Sequence, residues 1–537
     1  MQERVSQSKI PLKQFYRPDD IAGFNYEQNL NDPGQFPFTR GRSENLYAGG
    51  TWIQRELSGE GEPTRANEQF KYLIAKGAHG LDVIGDAPTM AGLDPDHPFA
   101  ANAIGTQGVS VCCLDDFREL YRDIPLDALT LSHSLLPQSV MSCLYLCAKE
   151  YGYDPAKLRG SVVQAAFYNE DCGYAIRTPF RVRIRMATDS IEFGTREMPK
   201  FHSFIEDTYY ISDAGLNSIE EMALGFVEIR YLVRQLLGRG LDIDSFAPRI
   251  AILLNCRMDL FEEIAKVRAT RRLFARMMRD EFGAKDRRSL STVITCHTSG
   301  LTLTAQQPFN NIVRGALEAL AMVLAGAQAI EISAFDEAYR TPSPASHLVG
   351  LRTQQVIQME TNTTKVVDPL GGSYYIEALT DELERRIWDL VQKIEAQGDP
   401  AKLSDDGWFK RNFFDEAMQR YARELREEKL LKVGVNCFRI PEEEDTLLKE
   451  VVETKIEPCF ARIDKIKAYK EKRDQGRLRD ALQALLEQTR SEKQNITYPI
   501  MEAMQSGATM GEVLGVVRLA YGAPYDPFGM VEPPVQL

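Results

Sequence analysis

From about residue 50 to 435, short apolar runs of β type alternate with longer amphipathic stretches. No other feature limits the possible folds of this chain so strongly. The runs include Gly80-Leu81-Asp82-Val83-Ile84, Leu129-Thr130-Leu131-Ser132, Ile250-Ala251-Ile252-Leu253-Leu254 and Ala329-Ile330-Glu331-Ile332. Helical spacing covers 64–76, 139–151, 218–237, 261–282 and 310–325 between them. Strands that alternate with long helices predict a parallel sheet wrapped by helices. So long a stretch of alternation favours a closed (β/α)8 TIM barrel with insertions over an open sheet. The fold class expected is therefore α/β. An N-terminal extended arm over 1–45 comes first, with Pro11, Pro18, Pro33 and Pro37 and little periodicity. The barrel follows over 46–438. Beyond an acidic stretch at Glu442 to Glu444, the pattern turns helical and highly charged, which predicts a small helical domain over 439–537.

Composition excludes several classes. The chain has 537 residues, 44% hydrophobic and 26% charged, as in ordinary soluble enzymes. A net charge of −13 opposes non-specific nucleic-acid binding, because a phosphate backbone is met by basic surface. Nine cysteines without a CxxC give no zinc pattern. Their odd number, with no secretory h-region, points to reduced thiols in the cytoplasm. No window approaches eighteen apolar residues, so no membrane span is expected. The six histidines are scattered and form no HxxxH pair, so no metal is expected.

Three local strings have a functional and a plain reading. Asp94-Pro95-Asp96-His97-Pro98 holds metal-ligand chemistry, but two prolines in five residues favour a turn. Asp368-Pro369-Leu370-Gly371-Gly372-Ser373 resembles a phosphate cradle, yet no lysine follows at P-loop spacing, so a tight turn is the better reading. Arg271-Arg272 and Arg287-Arg288 suit phosphate binding, although paired arginines more often sit on a solvated helix face. No nucleophile-and-base arrangement stands out. Residue types alone stop at a cytosolic α/β enzyme of unknown reaction.

Longer strings go further. Phe70-Lys71-Tyr72-Leu73-Ile74-Ala75-Lys76-Gly77, then Gly92 to Pro98, Phe246-Ala247-Pro248-Arg249, Thr298 to Gln306 and Asn310 to Arg314 follow in order. Phe335-Asp336-Glu337-Ala338, Arg352-Thr353-Gln354-Gln355, Asp368 to Ser373 and Val433-Gly434-Val435-Asn436 complete the series. Together they resemble the methylmalonyl-CoA mutase family over roughly 50 to 436. The resemblance implies a barrel threaded along its axis by the pantetheine arm of an acyl-CoA. It also implies an adenosylcobalamin-dependent radical rearrangement, in which a substrate hydrogen is abstracted and a group migrates to the neighbouring carbon. The family's cobalamin domain carries Asp-x-His-x-x-Gly, which this sequence lacks. A separate small cobalamin-binding subunit carrying that motif is therefore expected, in a heterotetramer or other hetero-oligomer.

The resemblance also assigns residues. Glu337 matches the glutamate that binds the adenosyl ribose, and Arg249 an arginine on CoA. Ser132 and Ser134 fall where hydroxyls line the CoA channel. Gln164 falls near an amide that touches the acyl group, His297 replaces a glutamine beside the CoA arm, and Tyr210 replaces the histidine that donates to the thioester carbonyl. The arginine before the family's Thr-Trp pair is Gly50 here, so the grip on CoA phosphates differs.

The substrate pocket departs from the family at Leu57, Ile84, Gly85 and Gly173. Leu57 stands at a position facing the migrating group, and favours apolar packing. The 2-hydroxyisobutyryl-CoA mutases place an aspartate where Ile84 sits, which argues against a hydroxyacyl substrate. Gly173 replaces the arginine that pairs with the methylmalonyl carboxylate; a carboxylate buried there unpaired costs several kcal/mol, unless Arg177 or Arg181 substitutes. Gly85 and Gly173 both replace larger residues and suggest an enlarged cavity, unless neighbours refill it. The leading expectation is the substrate-binding subunit for a non-standard, bulkier acyl-CoA. The alternatives are an isobutyryl-, 2-hydroxyisobutyryl- or methylmalonyl-CoA mutase with a rearranged pocket, and a non-catalytic CoA-binding partner of a mutase.

Overall fold

The computed structural model describes residues 4–48, 50–168, 176–445, 447–448, 453 and 455–536. Nine strands form its sheet: β1 Ile53–Arg55, β2 Leu57–Ser58, β3 Gly80–Ile84, β4 Thr130–Ser134, β5 Arg159–Gln164, β6 Phe201–Asp207, β7 Ile250–Cys256, β8 Val293–Thr298 and β9 Ala329–Glu331. Their order is β1-β9-β8-β7-β6-β5-β4-β3-β2, and the described registers are parallel. The fold is a (β/α)8 barrel whose first strand is broken at Glu56 into β1 and β2.

The principal helices are α1 Pro63–Ala75, α2 Pro137–Glu150, α3 Phe180–Glu197, α4 Ser218–Gly238, α5 Leu260–Arg276, α6 Asn310–Ala325, α7 Pro344–Glu360, α8 Tyr374–Glu395 and α9 Asp415–Arg426. Four more follow: α10 Ala461–Lys472, α11 Gln475–Ser491, α12 Thr497–Gln505 and α13 Met510–Ala520. Among the described residues no helix is long and apolar enough to cross a membrane.

The chain divides into two compact units. Met1–Glu56 and Glu206–Thr454 form one; Leu57–Ile205 and Lys455–Leu537 form the other. In the first, β7 is buried throughout and pairs with β8, Asn255 opposite His297, and β8 pairs with β9, His297 opposite Glu331. Local chemistry sets its helix ends. Asn217 caps α4 in a capping box with Glu220, and Gly326 ends α6 at φ 81°, a left-handed conformation that glycine adopts without penalty.

The arm is bound by arginines of α5, which corrects the expectation of a solvated basic face. Arg271 and Arg272 are fully buried. Arg271 donates from Nε to Phe38 O at 3.1 Å and from Nη2 to Thr39 O at 3.0 Å and Ala325 O at 2.6 Å. Arg272 donates to Asn29 O at 3.1 Å and to Asp381 at 2.6 Å. Arg287 and Arg288 are both exposed, as expected of a solvated pair; Arg287 holds Gly34 O at 3.1 Å, and Arg288 lies beside Asp286. An irregular arm has unpaired carbonyls, and a guanidinium has five donors in a fixed fork, so each satisfies the other.

In the second unit the C-terminal helices pack on the barrel elements of that unit. The Asp94–Pro98 turn is the anchor, and this accounts for its chemistry without a metal. Asp94 accepts from Thr509 Oγ1 at 2.5 Å and Gly511 N at 3.0 Å, Lys470 pairs with Asp96 at 2.7 Å, and His97 Nε2 meets Asp526 at 3.2 Å. Cys112, Cys113 and Asp116 also lie within 4.8 Å of one another, but Asp116 accepts from Arg462 Nη2 at 2.7 Å. The Asp368–Ser373 turn likewise has its amides committed: Gly371 N donates to Asp368 O at 3.0 Å and Gly372 N to Glu377 at 2.9 Å.

Candidate active site

Catalytic groups of barrels gather at the C-terminal ends of the strands, and the first unit has its polar side chains there. Parallel register places Asn255, His297 and Glu331 side by side on β7, β8 and β9, so their side chains point to one face. His297 and Glu331 are buried, with Nδ1 and Oε2 3.6 Å apart. The short helix Thr208–Asp213 follows β6 and begins at Asp207, whose side chain accepts from Tyr210 N at 3.1 Å. It sets the Tyr209 ring edge-on to both Tyr210, at 5.3 Å, and His297, at 5.1 Å. Asp213 closes the group, accepting from Asn255 Nδ2 at 2.6 Å and Ser299 Oγ at 2.9 Å.

Several acids of this unit have raised pKa values, Glu337 and Glu56 among them. Burial pushes Glu337 up to about 7, with Asp213 and Asp336 adding to it, while the Ala334 amide, 2.9 Å from Oε2, opposes. Burial holds Glu56 well above the carboxylate range, and Glu331 raises it further. Glu56 Oε1 accepts from Gln354 Nε2 at 3.2 Å, which opposes that rise. Among the described residues, Glu56, Glu331, Tyr209 and Asp213 are additions to the residues picked from sequence. Glu331 had a visible signal, a charge inside an apolar run; Tyr209 had none beyond its place beside Tyr210.

Arg249 lies at the opposite end of β7, just before its first residue. Its Nε and Nη1 are buried and have no hydrogen-bond partner among the described residues. Burial first, then the neighbouring Arg288 and Arg42, lower its pKa to about 10. A half-buried cation whose neighbours are cations is a site that an anion would relieve.

In the second unit Leu57, Asp82 and Ser132 share a register row, and Ile84 pairs with Ser134 two residues on. Ser161 Oγ donates to Ser132 Oγ at 2.9 Å. Leu57 and Ile84 are half-buried, whereas both serines are buried. Gln164 departs from the expected role: its amide nitrogen donates to Ser190 Oγ at 2.9 Å and Ser203 O at 2.7 Å, so both hydrogens are committed within the protein. At Gly85 the expected enlargement is overturned. A Cβ there would lie 2.5 Å from Leu135 Cδ2 and 3.0 Å from Thr89 Cγ2, so neighbours already fill the space. Gly173 lies outside the described residues. Arg177 donates to Pro527 O at 3.2 Å and lies over the Phe528 ring; Arg181 pairs with Glu492 at 3.1 Å. Both candidates for meeting a substrate carboxylate are thus engaged elsewhere.

Residues 5–523 match the family model for methylmalonyl-CoA mutase. The chain belongs to the methylmalonyl-CoA mutase family. It is 33% identical over 517 residues to the 2-hydroxyisobutanoyl-CoA mutase large subunit of Aquincola tertiaricarbonis, covering 96% of this chain and 91% of that one. It is 34% identical to the methylmalonyl-CoA mutase of Rhizobium meliloti (strain 1021), covering 96% of this chain and 72% of that one. The methylmalonyl-CoA mutase large subunit of Streptomyces virginiae is 31% identical, with 96% and 70% covered. This mutase is an isomerase, an acyl-CoA mutase substrate-binding subunit of an adenosylcobalamin-dependent family. A half-buried arginine lies at one end of β7, and a histidine, tyrosines and acids at the other.

Proposed function

We propose that this subunit binds an acyl-CoA along β7 and β8, with the nucleotide phosphates at Arg249 and the thioester beside His297 and Tyr210. The observation that carries this is the pair of buried nitrogens of Arg249, Nε and Nη1, which have no hydrogen-bond partner among the described residues. From Arg249 to Asn255 an extended strand covers roughly 20 Å, close to the reach of an extended phosphopantetheine arm. Arg42, supplied by the arm, takes over the grip lost at Gly50. Tyr210 donates to the thioester carbonyl, and His297, oriented by Glu331, holds the acyl end. Glu337 accepts from the adenosyl ribose hydroxyls.

Adenosylcobalamin, when bound, supplies the radical chemistry of the 1,2-rearrangement. This chain's part is to orient the acyl group and keep water out. Leu57 and Ile84 are alkyl, and Arg177 and Arg181 are engaged elsewhere, so an alkyl acyl group is favoured over a hydroxyacyl or dicarboxylic one. The filled space at Gly85 removes one support for a bulkier acyl group, and the proposal is a non-standard alkyl acyl-CoA. A small cobalamin-binding subunit with Asp-x-His-x-x-Gly completes the enzyme in a cytoplasmic hetero-oligomer. The similarity to a relative named as a large subunit, 91% of it covered, supports this. The arm is assigned to 1–45, the barrel to 46–438 and the helical domain to 439–537.

The test combines the chain with such a subunit, adenosylcobalamin and a panel of acyl-CoAs, following isomers by mass spectrometry. Turnover of branched alkyl acyl-CoAs is expected. Turnover of methylmalonyl-CoA alone would sink the alkyl assignment, and no turnover of any acyl-CoA would favour a non-catalytic CoA-binding partner.

A further inference from the structure

Three cations gather near the C-terminal ends of β7 and β8 with no carboxylate in ion-pair contact. Arg257 directly follows β7 and is 7% exposed; its Nη2 donates to Ser212 O, and its buried Nε has no hydrogen-bond partner among the described residues. Arg314 of α6, also buried, donates to Thr304 Oγ1 at 2.9 Å, Asn311 Oδ1 at 2.7 Å and Val433 O at 2.8 Å, all neutral acceptors. Beside Val433, Lys432 donates from Nζ to Tyr421 Oη at 2.9 Å and to Leu301 O, and Tyr421 Oη donates to the same carbonyl at 3.0 Å. Among the described residues none of the three cations makes an ion pair. Elsewhere in this unit Lys266 lies 2.8 Å from Glu221 and 2.6 Å from Glu263, and Arg268 pairs with Asp368 and Glu377. Cations left together without such partners make a place that an anion would relieve.

Lys432 is half-buried. Burial first, then Arg314, lower its pKa to about 8, with Arg257 adding to this and Glu318 and Asp213 opposing. Among the described lysines with a shifted pKa, it alone is lowered. The two acids are weak counter-charges. Burial pushes the Glu318 carboxyl well above the ordinary carboxylate range, and Asp213 is taken up by Asn255 Nδ2 at 2.6 Å and Ser299 Oγ at 2.9 Å. At pH 7 about a tenth of such an amine is unprotonated, against well under roughly a thousandth of an ordinary lysine. A neutral amine has two N–H bonds and one lone pair. Leu301 O and Tyr421 Oη answer both N–H bonds here, so the lone pair is what Nζ offers to a further neighbour.

We propose that Lys432 is a carbon dioxide site: its Nζ amine is reversibly converted to a carbamate, whose carboxylate becomes the counter-ion of Arg257 and Arg314. The nitrogen lone pair bonds to the carbon of CO2, one carbon–oxygen π bond opens to place the charge on oxygen, and the nitrogen releases one proton to water. Nothing is oxidised or reduced. A lone pair repels a docked oxyanion and attacks an electrophile, which favours CO2 over a free anion as the source of the charge. The product is an anion among guanidiniums, where charge-assisted hydrogen bonds are strong. Nitrogen keeps one N–H for Leu301 O, and Tyr421 Oη, freed of its bond from Nζ, turns its proton to the new carboxylate. Leu301 follows Gly300, whose Cα borders Asp213 and the Tyr209 hydroxyl, so the carbamate fastens the chain around Lys432 to the wall of the candidate active site. The inference does not depend on which acyl group is bound.

Carbon NMR of the full chain equilibrated with isotope-labelled bicarbonate tests it. One carbamate signal is expected, absent from K432R and lost on acidification. Alkylation with triethyloxonium followed by peptide mass spectrometry should place the trapped carbamate on Lys432 of the parent chain, which needs no variant to fold. R257Q should lower occupancy at a given CO2 pressure about tenfold, the scale of one lost charge-assisted contact. No trapped carbamate at Lys432, trapping spread evenly over exposed lysines, or occupancy unchanged in R257Q would each overturn the proposal. So would protection of Lys432 from an amine-acylating reagent by inorganic phosphate but not by bicarbonate, the mark of a free-anion site.

Discussion

His297 Nδ1 lies 3.6 Å from Glu331 Oε2, and the two residues are register partners on adjacent parallel strands. A carboxylate beside one ring nitrogen fixes which way the imidazole presents the other. The proposed acyl-binding role of His297 thus depends on Glu331. Glu331→Ala should lower kcat roughly 10- to 100-fold, as loss of a positioned proton donor does. His297→Ala should cost about as much, and the double variant little more than either. Steady-state kinetics with a turning-over acyl-CoA measures this. Losses that multiply would show two residues acting independently.

Arg249→Ala removes a half-buried cation whose Nε and Nη1 have no hydrogen-bond partner among the described residues. Affinity for CoA should fall about 10- to 100-fold, the scale of a lost charge-assisted contact. Calorimetry with CoA and with an S-acyl pantetheine lacking the nucleotide separates the roles. Only CoA binding should weaken. Equal weakening of both ligands would move Arg249 away from the phosphates.

Glu337 has its pKa pushed up to about 7 from an ordinary 4.5, chiefly by burial. A carboxyl whose folded-state pKa is raised lends stability that is fully present below the unfolded value. That stability is lost as pH rises through about 7. Glu337→Gln should therefore melt higher than the parent at pH 8, by roughly 2 °C or more, and close to it at pH 4.5. Thermal melts at the two pH values measure this. An advantage for the variant at low pH only would contradict the sign. The ribose contact should show the reverse preference, since the ionised carboxylate is the better acceptor of two hydroxyl hydrogens.

Gly85→Ala asks whether space exists beside Ile84. The new Cβ would lie 2.5 Å from Leu135 Cδ2 and 3.0 Å from Thr89 Cγ2. Overpacking of this kind costs about 1–3 kcal/mol. Denaturant melts should show that loss, and Leu135→Ala in the same chain should recover much of it. A neutral Gly85→Ala would mean that the pocket is open there after all.

Much of the barrel was legible because period is carried by local sequence. β3 begins and ends where the Gly80–Ile84 run does, and α6 spans the predicted 310–325. The first strand escaped notice because Glu56 cuts it into pieces of three and two residues, too short for a pattern. The Arg271-Arg272 pair misled for a different reason. The partners of Arg271 are main-chain carbonyls 233 and 232 residues away, and no local window contains them. Gly85 misled because a missing side chain says nothing about which neighbour occupies its place. At the site, spacing could mark His297 and Glu331 as unusual, but only parallel register made them neighbours.

The arm's attachment has a consequence for how its sequence can change. Arg271 and Arg272 are fully buried and take three of its carbonyls, those of Phe38, Thr39 and Asn29. A main-chain carbonyl is the same at every residue type, so the segment can drift widely in side chains while staying indispensable as a strip of backbone. Deleting it would take two of the acceptors from the buried Arg271 guanidinium, whose partners among the described residues are all main-chain carbonyls, at a cost of several kcal/mol. A stretch that looks unpatterned, and so dispensable, is tolerant of substitution and intolerant of loss.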